Sequence, residues 1–259
     1  IEVTLDWLSV GLDPKKTTFV VQSYVPEYAE LTMLLSMITP KSMIDRNPTL
    51  KAEMARLSNV TVGFYNYPMS QVADILLSKA NLVPVGEDQL PHIELTREIA
   101  RKFNRIYKNI FPEPEALVGR VPRLVGIDGE AKMSKSLGNC IYLSDSEAEV
   151  AKKVKKMYTD PTRIKATDPG HIEGNVVFTY LDVFYQDKKE LEELKKKYTQ
   201  GKVGDVEIKE LLTDLLNNLL NPIRERRSYY MAHPEEVKKA LEEGTLRARK
   251  VAAETILEV

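Results

Sequence analysis

A chain of 259 residues with 43% hydrophobic and 29% charged side chains can bury one large core or two modest ones, which excludes a disordered or fibrous protein. Lysine and arginine total 37 against 38 acidic residues, a formal net charge of −1, so no global basic field draws the molecule to nucleic acid, and any RNA contact rests on local patches. A single cysteine, Cys140, excludes an internal disulfide and any all-cysteine metal or iron–sulfur site, and no apolar run nears the roughly 18 residues of a membrane helix, so a cytoplasmic setting without membrane is expected.

Residues 1–10 (IEVTLDWLSV) predict the end of an amphipathic helix carrying Val3, Trp7, Leu8 and Val10, closed near Gly11. A start inside a helix predicts that the natural protein extends further towards its N-terminus. Thr17 to Gln22 is rich in β-branched and aromatic residues and predicts a strand. Residues 29–38 place Leu31, Leu34, Leu35 and Ile38 on one helical stripe, and Leu50 to Leu57 is a further helix. The aromatic stretch from Val60 to Pro68 is either core or partner surface. Met69 to Ala80 then predicts a helix in which Asp74 interrupts the apolar face. A carboxylate there must find a donor, either within the protein or on a ligand.

Asn81 to Gly86 predicts a short buried strand ending in glycine, followed by polar Glu87-Asp88-Gln89 and a helix from His92 to Phe103. A strand, a glycine and a helix N-terminus in that order is where open α/β sheets bind ligands. Residues 117–127 return to the same edge. From about Ser146 onward only helices and turns are expected. A clear 3.6-residue stripe runs through Ile208, Leu211, Leu212, Leu215, Leu216 and Leu219. Pro222 is expected to start a helix carrying Arg224, Arg226 and Arg227, a candidate RNA-facing cluster, and a last helix runs from Glu235 to the end.

Between the α/β and helical parts lies Lys132-Met133-Ser134-Lys135-Ser136, continued by Leu137-Gly138-Asn139. Two lysines three residues apart, with hydroxyls at Ser134 and Ser136, can place two ammonium groups on one polyphosphate. Lysine suits a charge that migrates during reaction, because it is a point charge on a flexible stem.

Val83-Pro84-Val85-Gly86-Glu87-Asp88-Gln89, continued by His92, Glu94-Leu95-Thr96-Arg97 and Phe103-Asn104, closely resembles the tryptophanyl-tRNA synthetases, a family of class I aminoacyl-tRNA synthetases. So do Tyr67-Pro68, Ala73-Asp74-Ile75-Leu76, the Lys-Met-Ser-Lys-Ser loop and the tail with Tyr158-Thr159-Asp160-Pro161 and Pro222-Ile223-Arg224-Glu225-Arg226. The sister tyrosyl enzymes share the fold and read differently at Gly86 to Gln89. The resemblance implies an α/β fold: a Rossmann-like, parallel-sheet catalytic domain over residues 1–139, then an all-helical tRNA anticodon-binding domain over residues 140–259. It also implies a dimerisation insertion at about 36–66, a homodimer, and tryptophan activation by ATP to tryptophanyl-adenylate with transfer to tRNA(Trp). Mg²⁺ is expected with the nucleotide.

The same resemblance assigns individual residues. Lys132 and Lys135 become the catalytic cations. Gly86, Glu87, Asp88, Leu124, Met133, Ser134 and Ser136 join them around ATP. Tyr67 and Gln89 hold the ammonium end of tryptophan, Asp74 accepts the indole N–H, and Val83 and Val85 flank the ring. Two departures stand out. Gln71 occupies a position where many bacterial relatives carry methionine against the indole, and no His-Ile-Gly-His-like motif occurs. The first βα unit of the natural protein is therefore expected to lie outside these residues, and catalysis by this chain alone depends on it. Some relatives carry an iron–sulfur cluster in the helical region, which one cysteine cannot supply. The rival readings are another nucleotidyl transferase of the same superfamily, and a non-catalytic paralogue or fragment that binds partners.

Overall fold

The computed structural model describes residues 1–119, 121, 124–129, 133–135, 137–160, 163, 165 and 167–259. In chain order its helices are α1 (Glu2–Ser9), α2 (Glu27–Ile38), α3 (Lys41–Asp45), α4 (Pro48–Met54), α5 (Val62–Leu77), α6 (Leu90–Ile106), α7 (Glu147–Lys155), α8 (Val176–Phe184), α9 (Lys188–Thr199), α10 (Asp205–Ala232) and α11 (Pro234–Glu258). Two strands, β1 (Leu82–Val85) and β2 (Glu115–Val118), flank α6 in sequence. The chain forms two compact units, each from two stretches: an α/β unit of residues 13–122 and 235–259, and a helical unit of residues 1–12 and 123–234. A single joint at 139/140 is thus not where the chain divides in space.

The α/β unit is built on a parallel β1–α6–β2 crossover in which Leu82 faces Glu115 and Val85 faces Val118. Leu31 and Leu35 of α2, Met69, Val72, Ala73 and Leu76 of α5, and Ile99, Ala100 and Phe103 of α6 form one core, which Ala252 of α11 joins. Helix α5 starts earlier than its sequence predicts. Thr61 caps it by accepting from the Phe64 N–H (3.1 Å), and Pro68 is carried inside. The aromatic stretch is therefore helix, with Phe64, Tyr65 and Tyr67 half-buried against the core. Strand β1 is not the buried strand expected: Leu82 is 52% exposed. Among the described residues β1 and β2 are paired only with each other, and such a ribbon covers neither face completely.

Thr17 to Gln22 is not a strand either. Its backbone runs against α11, where the Val21 N–H donates to Thr245 Oγ1 (3.0 Å), and Phe19 is buried. A Cβ at Gly244 would lie 2.1 Å from the Phe19 carbonyl oxygen, so only glycine allows this approach. Further along α11, Thr255 Oγ1 donates to the Leu77 carbonyl (2.9 Å) and Lys79 pairs with Glu258 (2.6 Å). Nothing local in the sequence of α11 announces these partners.

In the helical unit Ser146 and Glu149 form a capping box that starts α7. Val150 and Val154 of α7 pack with Val177, Phe178 and Leu181 of α8 and with Ile208, Leu212, Leu216 and Leu220 of α10. Leu219 is 45% exposed, so the buried stripe is narrower than the sequence stripe. Pro222 lies inside α10 instead of starting a helix. Arg224 spans that turn, donating to Asn217 Oδ1 (2.8 Å) and Asn221 Oδ1 (2.6 Å). In α1 the buried side is Thr4, Leu5, Leu8 and Ser9, while Val3, Trp7 and Val10 are largely exposed. Among the described residues no helix is long and apolar enough to cross a membrane.

Candidate functional site

The sequence-predicted residues fall on both units. In the α/β unit Gln71 and Asp74 of α5, Val83 and Val85 of β1, Gln89, and Ile75, His92 and Ile93 line one cavity of about 190 Å³. That is smaller than the roughly 300–1,000 Å³ of drug-sized sites and suits one compact molecule. Gln71 and Asp74 share a helix face because they are three residues apart. Ile75, Val83, Val85 and Ile93 supply apolar wall, which favours a flat apolar body, and the polar groups decide its orientation.

Asp74 is half-buried, and its Oδ1 accepts from Gln22 Nε2 at 2.5 Å. Burial pushes the Asp74 carboxyl above its ordinary range, and the Gln22 bond offsets part of that rise. The donor that a carboxylate on this face must find is thus partly internal. A carboxylate offers about four lone-pair sites, so acceptor capacity towards the cavity is left. Tyr28 has its hydroxyl pushed up by burial and by the Asp74 charge.

His92 and Tyr67 belong to a hydrogen-bonded chain whose direction can be worked out. Asn47 caps α4, its Oδ1 accepting from the N–H groups of Thr49 (3.0 Å) and Leu50 (3.1 Å). Its Nδ2 must therefore face His92 Nδ1, 3.2 Å away, and a donor there makes Nδ1 an acceptor. The His92 proton then resides on Nε2, which faces the Tyr67 hydroxyl at 3.4 Å. Tyr67 in turn donates to Glu53 Oε2 at 2.7 Å. Burial holds the imidazole below its usual range, partly opposed by the charges of Glu53 and Asp88. Burial and the Glu53 bond push the Tyr67 hydroxyl far up. Tyr67 is not among the cavity-lining residues; it reaches the site through His92. His92 and Glu53 are the residues that site reasoning from sequence missed. His92 carried a weak signal, standing three residues after Gln89 in the matched block.

Gly86, Glu87 and Asp88 follow β1 directly, the last two exposed. The Asp88 carbonyl accepts from Thr49 Oγ1 (3.2 Å), and its Oδ2 accepts from Gln89 Nε2 (3.3 Å). A Cβ on Gly86 would meet Asp88 Oδ1 at 2.7 Å, so the turn is closed by glycine and carboxylate together.

In the helical unit the lysine loop is tied at its base by Asn139. The Asn139 side chain is buried, its Oδ1 accepting from the Ser134 N–H (2.8 Å) and its Nδ2 donating to Asp128 Oδ2 (2.8 Å). Its carbonyl accepts from the Ile127 N–H (3.0 Å). Gly138, at φ +66°, makes the turn that brings Asn139 back. Met133 packs on the helical core, Lys135 is exposed, and Leu124 is half-buried. Lys132 and Ser136 lie outside the described residues. The arginine cluster of α10 is engaged inside the protein. Arg224 donates to the Asp145 carbonyl (2.7 Å), Arg226 to the Ser9 carbonyl (2.5 Å), and Arg227 pairs with Asp6 (3.0 Å) and Glu2. It is a structural network before it is an RNA surface.

Comparison with known proteins gives a consistent result. The family described as tRNA synthetases class I (W and Y) matches residues 2–221. A tryptophan–tRNA ligase of Clostridium longisporum is 51% identical over 265 residues, covering 100% of this chain and 78% of its own length. The tryptophan–tRNA ligase of Chlamydia caviae is 51% identical over 263 residues, with 76% of its length covered. Among solved structures, the tryptophanyl-tRNA synthetase of Campylobacter jejuni, complexed with ADP and tryptophan, superposes with a TM-score of 0.84 at 35% identity over 99% of this chain and 80% of that one.

Proposed function

The chain belongs to the class I tRNA synthetases for tryptophan and tyrosine, and from that membership we infer that it is an aminoacyl-tRNA synthetase joining tryptophan to tRNA at the expense of ATP. The observation that carries the choice of tryptophan is the identity of 51% with tryptophan–tRNA ligases along the whole chain. The cavity supports it: apolar wall from Ile75, Val83, Val85 and Ile93, with a carboxylate from Asp74 and an amide from Gln71 on one helix face.

In this reading the indole lies between β1 and α5, and Asp74 accepts its N–H. A site that bonds one N–H rejects analogues lacking it far better than an apolar slot does. Gln89 and Tyr67 take the ammonium end. Tyr67 donates to Glu53 and its oxygen faces the His92 Nε2–H at 3.4 Å, so one further lone pair of that oxygen is the acceptor for a cationic donor. Gly86, Glu87, Asp88, Leu124 and the loop residues Met133, Ser134 and Ser136 are assigned to ATP. Lys132 and Lys135 are assigned to the charge that builds on the phosphates as the tryptophan carboxylate attacks the α-phosphorus and pyrophosphate leaves. Magnesium would come with the nucleotide and would supply charge neutralisation at its phosphates. Among the described residues no group of three or more His, Cys, Asp or Glu side chains stands ready as a cage.

We assign the tRNA anticodon to the helices after residue 139, α11 excepted because it folds with the α/β unit. Residues of about 36–66 are assigned to a homodimer contact and the setting to the cytoplasm. The test is ATP–pyrophosphate exchange by the full-length protein, screened across the amino acids. Exchange with tryptophan alone is the expected result. Exchange with tyrosine overturns the choice of amino acid, and no exchange with any amino acid overturns the ligase reading.

A further inference from the structure

The carboxylate on the α5 wall of the cavity is held from one side only. Asp74 Oδ1 accepts from Gln22 Nε2 at 2.5 Å. A carboxylate cannot donate, so the amide nitrogen of Gln22, and not its oxygen, is the atom that faces Asp74. Asp74 Oδ2 bonds to no described residue and is not one of the fully buried side-chain atoms, so a donor from outside can reach it. The Gln22 side chain is exposed, yet its backbone is pinned on both sides. It opens a 3₁₀ turn (Gln22–Tyr24), the Val21 N–H before it donates to Thr245 Oγ1 (3.0 Å), and Phe19 and Val25 on either side are buried. Around Asp74 stand Tyr28 of α2, which feels its charge, and Gln71, Gln89 and His92, which line the cavity with it. None of these is a cation at neutral pH, since burial holds His92 neutral. Gln22 is thus the group that supports the Asp74 charge where burial opposes it.

We propose that Gln22 is a positioning residue for substrate discrimination: by holding Oδ1 it fixes the Asp74 carboxylate in one orientation, in which the remaining acceptor capacity meets the ring N–H of the substrate. The assignment rests on the tryptophan reading above and specifies how its N–H reader is aimed. A carboxylate without that tie turns about its own bond and must be ordered when the substrate binds, which costs affinity for the N–H alone. An indole that covers Asp74 also strips it of water, and the Gln22 bond is then what keeps the acceptor charged and strong.

The experiment measures dissociation constants for the full-length protein by calorimetry across pH. The ligands are tryptophan, 3-benzothienylalanine (sulfur in place of the ring N–H) and indole-3-propionate (no amino group). Gln22→Met removes the donor at similar volume, and Gln22→Ala removes it without adding bulk. In both variants the preference for tryptophan over the benzothienyl analogue should shrink about tenfold, with the ratio of tryptophan to indole-3-propionate unchanged. The acid step in tryptophan binding that belongs to Asp74 is the one absent from Asp74→Ala. In Gln22→Met that step should move to higher pH, because a charge that loses its donor takes up a proton sooner. In the Asp74→Ala background Gln22→Met should change tryptophan affinity by less than about twofold, since the bond it removes is already gone. A benzothienyl ratio in Gln22→Met within about twofold of wild type, or an unmoved acid step, overturns the proposal. Equal weakening of all three ligands that persists in the Asp74→Ala background also overturns it, leaving Gln22 a structural residue. Wild-type protein that binds no tryptophan overturns the tryptophan reading itself. A wild-type thermal midpoint in either Gln22 variant separates these outcomes from misfolding.

Discussion

At the scale of single residues the cavity holds two titrating groups that burial pushes in opposite directions. Asp74 is raised, so its proton arrives at a higher pH than the roughly 3.9 of an ordinary aspartate. Protonation removes the charge that strengthens an accepted N–H, so tryptophan affinity should fall with acidification before ordinary carboxylates titrate. Calorimetric titrations across pH check this. Asp74→Ala should weaken binding by roughly ten- to a hundredfold, the value of a hydrogen bond to a charged group, and should remove that pH step. His92 is lowered by burial. For a histidine held neutral, the unfolded chain takes up protons first. The stability associated with the neutral ring is therefore complete above the unfolded value of about 6.5 and is lost as pH falls from there to the lower folded value. Asp74 has the reverse sign, since the folded state binds its proton more tightly and gains stability as pH falls through the raised value. Thermal midpoints followed from pH 7 downward in wild type and His92→Gln should diverge, with the variant losing less. If the two curves stay parallel, the inward-facing neutral imidazole is not what the acid limb reports. The carboxylate was legible in the sequence because a charge on an apolar helix face demands a partner. The tautomer of His92 was not, because it depends on Asn47, which comes from the cap of another helix.

Elements show which sequence patterns carry through to structure and which do not. Periodic stripes survived: α2 and α6 lie where their apolar spacing puts them, as does the part of α10 before Pro222, while α7 is started by the Ser146 capping box. Ser146→Ala should cost about 1 kcal/mol, seen as a fall in thermal midpoint with no effect on tryptophan binding. Prolines misled, because a proline read alone marks a helix start, while Pro68 and Pro222 are carried inside helices whose neighbours hold them. Thr17 to Gln22 misled for a related reason: β-branched and aromatic residues favour extended backbone, and extended backbone became a strand only where a partner ladder existed. The lysine loop is the most legible element as a motif, yet its geometry is set by Asn139, just beyond the lysines. Asn139→Ala removes the acceptor of the Ser134 N–H and the donor to Asp128. It should cost about 1–3 kcal/mol in stability and raise the KM for ATP in pyrophosphate exchange while leaving the dissociation constant of tryptophan unchanged. An unchanged KM for ATP would mean that the tie at the loop base does not matter to the nucleotide.

For the whole molecule, the division of the chain is decided by contacts hundreds of residues apart in sequence, beyond the reach of any local pattern. Reading in order, the last helix continues the helical part; in space α11 completes the α/β unit. Phe19 lies against Gly244, Val21 bonds Thr245, Leu77 bonds Thr255, and Ala252 enters the core shared by α2, α5 and α6. The cavity is walled by α5, β1 and the start of α6, and two of those helices rest on that core. Gly244→Val is the sharp probe, because its side chain would start 2.1 Å from the Phe19 carbonyl oxygen, a backbone atom that cannot rotate away. The expected cost is at least the 1–3 kcal/mol of an overpacked core, and tryptophan binding should weaken with it. Hydrogen exchange locates the damage. Amides of α2, α5 and α6 should lose protection, while those of α8 and α10, whose core is Val177, Phe178, Leu181, Ile208, Leu212 and Leu216, should keep theirs. Equal loss in both sets would show that the two units unfold as one. Loss confined to α8 and α10 would return α11 to the helical side, where its place in the sequence puts it.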